Sequence, residues 1–232
     1  MIRFIDISNW QGDINLPAIL PNVDGVVCKA TEGTTFVDPY CDVWVQQCIN
    51  AGKLWGFYHF ASSESASEEA EFFVRNCQGY LRNGIPILDW EGNQNVGWVN
   101  AFVQRVHELT GVWPWIYGNP WRFSQGEVEQ NCARWVAEYP YVTSPSFEQA
   151  ESWSCPEAEG NVVAWQFCSD GRVSEYNGNL DCSLFYGTEK QWMAYALGEN
   201  TATDDGSDNP SPDSDISVLE NDEYKVTIER KK

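Results

Sequence analysis

Apolar runs that read as buried strands alternate with helix-patterned stretches through the first 130 residues. That alternation restricts the chain to a parallel sheet covered by helices. The strand runs are Phe4-Ile5-Asp6-Ile7, Gly25 to Lys29, Lys53 to Phe60, Ile85 to Trp90 and Trp113 to Tyr117. Helical patterns fill Leu16 to Leu20, Asp38 to Ala51, Ser65 to about Arg82 and about Val96 to Thr110, and another begins near Trp121. After about Asn131 the alternation lapses. Arg134 to Tyr139, Asn161 to Phe167 and Arg172 to Tyr176 read as strands joined by Pro-, Ser- and Gly-rich loops with no room for long helices. Five βα units followed by three strands can close an α/β barrel of eight, a variant of the (β/α)8 plan with an irregular final third. An open doubly wound sheet is the competing architecture, but no glycine-rich phosphate loop follows the first strand.

A chain of 232 residues can bury one full core, and 43% hydrophobic content with 12 tryptophans is incompatible with global disorder. The composition shifts at about Gly198. The expected organisation is a barrel domain over 1–198, an acidic flexible linker over 199–215, and a tail or fragment of a second module over 216–232. The formal charge of −20 argues against nucleic acid or an anionic membrane as partner. The N-terminus shows no secretory leader, and no apolar run approaches the ~20 residues needed to span a bilayer. The expectation is a monomer without membrane insertion, either made in the cytoplasm and released by other means or secreted with its leader missing. The eight cysteines form no Cys-x-x-Cys pair, and with two histidines the chain lacks zinc-type spacing. Cys28 reads as a small core residue. Cys41 and Cys48 share a helix face about 10 Å apart, beyond mutual disulfide reach. Disulfides elsewhere stay open, with no pair nominated.

The chemistry concentrates at strand ends. Ile85-Pro-Ile-Leu-Asp-Trp-Glu-Gly92 is a short apolar strand ending in two carboxylates two positions apart. Residues i and i+2 of a strand share a face and rise roughly 6.6 Å, so Asp89 and Glu91 enter one space. Like charges that close resist joint ionisation, and one keeps its proton near neutral pH. A proton donor beside an ionised carboxylate is the equipment for cleaving a glycosidic bond. In a barrel, chemistry belongs at the C-terminal strand ends, where Asp6, Glu32, Asp89, Glu91 and Asp181 all fall. Lys29 partly offsets them. Aromatics at strand ends (Trp10, Tyr58, Phe60, Trp90, Tyr117 and Trp165) would suit sugar rings. His59, between Tyr58 and Phe60, should face the helices as a structural residue. No Gly-x-Ser-x-Gly elbow or Cys–His pairing supports acyl transfer, and no cofactor or metal is called for.

Seven blocks in order carry a family resemblance. They are Asp6-Ile-Ser-Asn-Trp-Gln-Gly12, Lys29-Ala-Thr-Glu-Gly-Thr34, Gly56-Phe-Tyr-His-Phe60, Leu88-Asp-Trp-Glu-Gly92, Trp115-Ile-Tyr-Gly-Asn119, Ala164-Trp-Gln-Phe167 and Gly178-Asn-Leu-Asp181. From about residue 3 to 188 the chain resembles the glycoside hydrolase family 25 lysozymes, the Chalaropsis-type N-acetylmuramidases of bacteria, fungi and many phage endolysins. The resemblance implies a modified TIM barrel, (β/α)5(β)3, and hydrolysis of the β-1,4 bond between N-acetylmuramic acid and N-acetylglucosamine in bacterial peptidoglycan. By position it makes Glu91 the general acid, Asp89 its partner carboxylate, and Asp6 and Asp181 two further acids lining the groove. Tyr58 and Tyr117 match positions near the cleaved bond, and Trp10, Trp90, Gln166 and Glu32 join the substrate-binding set. Two other readings compete: a catalytically inactive glycan-binding barrel, and a chitinase-like hexosaminidase. The cysteine count departs from the family pattern, and Phe167 stands where a tyrosine is common.

Overall fold

The computed structural model describes residues 1–199 apart from Asp13 and Ser63; of the expected linker only Glu199 is included, and the tail at 216–232 lies outside the described residues. Nine strands form: β1 (Ile2–Ile7), β2 (Gly25–Glu32), β3 (Phe36–Val37), β4 (Leu54–Phe60), β5 (Ile85–Asp89), β6 (Trp115–Gly118), β7 (Arg134–Ala137), β8 (Val162–Gly171) and β9 (Leu180–Phe185). Eight of them close a barrel in the order β1-β2-β4-β5-β6-β7-β8-β9, with β9 returning to β1; β3 is a two-residue strap on β2. Every barrel pairing is parallel except those of β9, which runs antiparallel to both neighbours.

The helices are α1 (Leu16–Ile19), α2 (Cys41–Asn50), α3 (Ala66–Asn76), α4 (Val96–Thr110), α5 (Pro120–Phe123), α6 (Phe147–Ala150) and α7 (Glu189–Leu197). Local chemistry sets their ends. Asn95 caps α4 by accepting from the Trp98 amide, and Gly111 ends it at φ +72°, a left-handed conformation that disfavours a Cβ. Thr188 and Gln191 form a capping box at the start of α7, and Gly198 closes it at φ +78°. Apolar side chains of α2, α3 and α4 pack on the outward faces of the strands in one core, where Cys28, Cys41 and Cys48 are buried. All eight cysteines are free thiols.

Two sequence expectations need correction. The segment Arg172–Tyr176 is a loop, not a strand; only Val173 of it is buried, and Glu175 adopts φ +73°, which breaks an extended run. The closing strand is instead β9, where Leu180, Cys182 and Leu184 pack outward while Ser183 and Phe185 turn toward the barrel axis. The expected helix from Ser65 to Arg82 ends at Asn76 and continues as turns, with Arg82 at φ +62°.

Inside the barrel Phe4, Val27, Ile85, Ile87, Trp115, Trp135 and Phe185 form a second core. Such bulk fits because Gly56 sits between them; a Cβ there would meet the Ile85 carbonyl at 3.0 Å. The N-terminal end of the barrel is stoppered by α7. Its fully buried Trp192 ring lies 5.4 Å from Phe4, Trp115 and Phe185, and its indole N–H donates to the Trp55 carbonyl at 3.2 Å. A packed floor leaves the C-terminal mouth as the open end.

Candidate active site

The period-2 alternation of strands decides what reaches that mouth. Above Phe4 the same face of β1 carries Asp6; above Ile87, β5 carries Asp89; above Trp115, β6 carries Tyr117; above Ala164, β8 carries Gln166. On β9 the direction is reversed, so its second residue, Asp181, lies at the mouth and pairs directly with Asp6 across the strands. Asp6, Asp89, Glu91 and Asp181 line one cavity of about 260 Å³, together with Lys29, Tyr58, Phe60, Tyr117, Trp135, Tyr139 and Gln166. A second depression of about 360 Å³ begins on the far side of Glu91, Tyr117 and Tyr139 and is otherwise walled by Trp90, Asn119, Arg122 and Glu138 among others.

Gln166 organises the floor. Its carbonyl oxygen accepts from the hydroxyls of Tyr117 at 2.7 Å and Tyr139 at 2.5 Å, and its amide donates to Asp6 Oδ1 at 2.9 Å. Burial and then the neighbouring Asp181 push Asp6 well above the usual carboxylate range, against the opposing Gln166 hydrogen bond. Asp89 is likewise raised by burial and then by Glu91, with Lys29 and Arg122 pulling the other way. Burial, followed by Glu91, lifts Asp181 to about 6. Asp89 Oδ1 is buried and has no hydrogen-bond partner among the described residues. The cavity therefore holds protons near neutral pH and keeps one carboxyl oxygen uncommitted.

Three expected substrate-binding residues lie outside this cavity. Trp10, in a short turn after β1, is 87% exposed. Glu32 accepts from Lys29 Nζ at 2.6 Å at the rim, while that ammonium also lies over the rings of Phe36 and Phe60. Trp90 is buried behind the Glu91 turn, donating to the Gln94 carbonyl at 2.8 Å, and lines the second depression. Trp165 faces away from the barrel and packs on Trp153 and Phe167. His59 also points outward: it hydrogen-bonds Thr31 at 2.8 Å and the buried Glu69 of α3 at 2.9 Å. Sequence reasoning missed Tyr139 and Trp135. Parity along the expected strand Arg134 to Tyr139 could have pointed to both, since its positions 135, 137 and 139 alternate onto one side, although β7 itself ends at Ala137.

The sequence matches the profile of Glycosyl hydrolases family 25 over residues 5–176. The chain belongs to this family. Lysozyme M1 of Streptomyces globisporus is 29% identical over 224 residues, covering 87% of this chain and 72% of that protein. The N,O-diacetylmuramidase of a Chalaropsis species is 27% identical, over 78% of this chain and 96% of its own. Among solved structures, the bacterial lysozyme of Streptomyces coelicolor superposes with a TM-score of 0.70 at 26% identity, covering 85% of this chain and 98% of the other. The family 25 chain is thus a glycoside hydrolase on a closed, modified TIM barrel, with its acids gathered at the C-terminal mouth.

Proposed function

We propose that this family 25 enzyme is a lysozyme that hydrolyses peptidoglycan at the β-1,4 bond from N-acetylmuramic acid to N-acetylglucosamine, with Glu91 as general acid. The observation that carries the reading is the single cavity shared by four carboxyl groups beneath an aromatic rim, in a chain matching the family over most of its length. Glu91 stands beyond the end of β5 at the boundary between the acid cavity and the second depression. A glycosidic oxygen lying across that boundary would receive its proton from Glu91 as the bond to the anomeric carbon breaks. The sugar held over Asp89 then supplies its own 2-acetamido oxygen as nucleophile. Asp89 Oδ1 is free to accept from the acetamido N–H and so orient the group. For it to stabilise the developing positive charge, the proton of the pair must sit on Glu91, a state that Lys29 and Arg122 favour against the burial that raises Asp89. Water next attacks the anomeric carbon, gives its proton to Glu91, and releases a retained product. Asp6 and Asp181 hold the far wall, and Tyr58 and Tyr117 present hydroxyls toward the reacting sugar.

The site of action is the bacterial cell wall, in the manner of an endolysin. Turbidity loss of purified Gram-positive walls measures the activity, with intact cells as the measure of bacteriolysis. Glu91→Gln should slow clearance by ~10² or more, the usual scale for removing a positioned acid. Equal, slow clearance by wild type and variant would leave an inactive glycan-binding barrel. Product analysis separates the hexosaminidase alternative, because a lysozyme leaves muramic acid at the new reducing end.

A further inference from the structure

Glu91 projects from a turn that belongs to no strand or helix: β5 ends at Asp89 and α4 starts at Val96. A general acid on irregular backbone needs an outside hold to keep its carboxyl within hydrogen-bond reach of the leaving oxygen. That hold comes from α5, the short helix after β6. The Arg122 guanidinium donates through Nη1 to the Gly92 carbonyl at 2.6 Å and through Nη2 to the Glu91 carbonyl. It lies over the Trp90 ring at 5.4 Å, and Trp90 is anchored through its amide to the Tyr117 carbonyl and through its indole to the Gln94 carbonyl. Arg122 is fixed in turn: its amide donates to the Asn119 side chain at 3.1 Å, which caps α5. Among the described residues the guanidinium is in no ion pair within 4.0 Å. Its fork is directed at the main-chain oxygens of two successive peptide units, those of Glu91 and Gly92, a geometry that a planar guanidinium meets and a point-like ammonium does not.

We propose that Arg122 is a positioning residue for Glu91, tethering the turn that carries the acid to the neighbouring strand–helix unit, without itself touching the reacting atoms. This rests on the reading of Glu91 as general acid. The charge of Arg122 reaches the acids directly as well, opposing the rise of Asp89.

The test uses the full chain with Arg122→Met, which keeps length and apolar contact with Trp90 but removes the donors, and Arg122→Lys, which can reach one carbonyl. On soluble peptidoglycan fragments, Arg122→Met should lower kcat by about 10- to 100-fold with KM within about threefold. Arg122→Lys should recover part of that loss. Because the tether acts through Glu91, adding Arg122→Met to Glu91→Gln should cost far less than the product of the two single losses, the remainder being the direct effect of the lost charge on Asp89. Losses that multiply, or an Arg122→Met variant with wild-type kcat, would overturn the assignment. Backbone relaxation reads the tether without substrate: the order parameters of Glu91 and Gly92 should fall from about 0.85 to below about 0.6 in Arg122→Met. Unchanged values would refute the tether even if the wild type cleaves nothing, whereas wild-type inactivity with loosened values would sink only the functional reading.

Discussion

Asp181 shows how a single side chain can be held at a cost for the sake of a site. Its carboxyl titrates at about 6 instead of near 3.8, pushed up by burial and by Glu91. Between those two values the folded chain keeps a proton that the unfolded chain has released. The unfolded state then binds fewer protons, so stability falls as pH rises through this window and is greatest below it. Asparagine imitates the protonated form at every pH. Asp181→Asn should therefore stabilise the protein at pH 7 by up to about 3 kcal/mol, less where the cluster shares its protons. For a chain of this size that is a melting temperature higher by roughly 2–4 °C per kcal/mol, a gain that disappears near pH 4. Thermal melts of both proteins at pH 4 and 7 check it; a larger gain at pH 4 would contradict the assigned direction. In the same variant the alkaline limb of the pH–rate profile should move, because the proton inventory of the coupled acids has changed.

At the scale of elements, β9 and α7 complete what the βα repeats begin. By entering antiparallel, β9 closes the barrel without a crossover helix and sets Asp181 opposite Asp6. A parallel strand with the same residues would carry that acid to the opposite end. The α7 helix contributes nothing to the mouth but supports it from beneath, since Trp192 touches the rings that fill the lower barrel. Trp192→Ala should cost about 3–5 kcal/mol, the range for removing a large buried aromatic. Urea unfolding followed by tryptophan fluorescence measures the loss; a cost below about 1 kcal/mol would mean that α7 is not part of the core. The outward side of β4 has its own fastening. Burial alone would raise Glu69, but hydrogen bonds from His59 and Ser62 outweigh it and hold the carboxylate low, while burial lowers His59.

For the whole molecule, every acid of the site and every strand of the barrel lies within residues 1–199. A chain ending after Glu199 should keep the melting temperature of the full chain within about 2 °C and cleave soluble peptidoglycan fragments at the full-length rate. Calorimetry and a reducing-sugar assay check both halves of that expectation, and a large loss of either would give residues 200–232 a structural or catalytic part. With a formal charge of −20, approach of the chain to a charged wall should depend on ionic strength.

Read on its own, the chain determined the barrel class, the floor acids and the outward turn of His59. Those follow from the 3.6- and 2-residue periodicities, which depend only on neighbours along the chain. Period-2 parity put Asp89 and Glu91 on one face and turned His59 away from Tyr58 and Phe60, while strand-end position and the family motifs nominated Asp6, Tyr117, Gln166 and Asp181. Only tertiary structure could show that the closing strand is Leu180–Phe185, that Gln166 joins Tyr117, Tyr139 and Asp6, or that Trp10 and Glu32 stay outside the acid cavity. The hold of Arg122 on the Glu91 turn belongs with these. Each depends on which distant segments meet and in what direction, and strand pairing and ring packing settle that through contacts with no local signature.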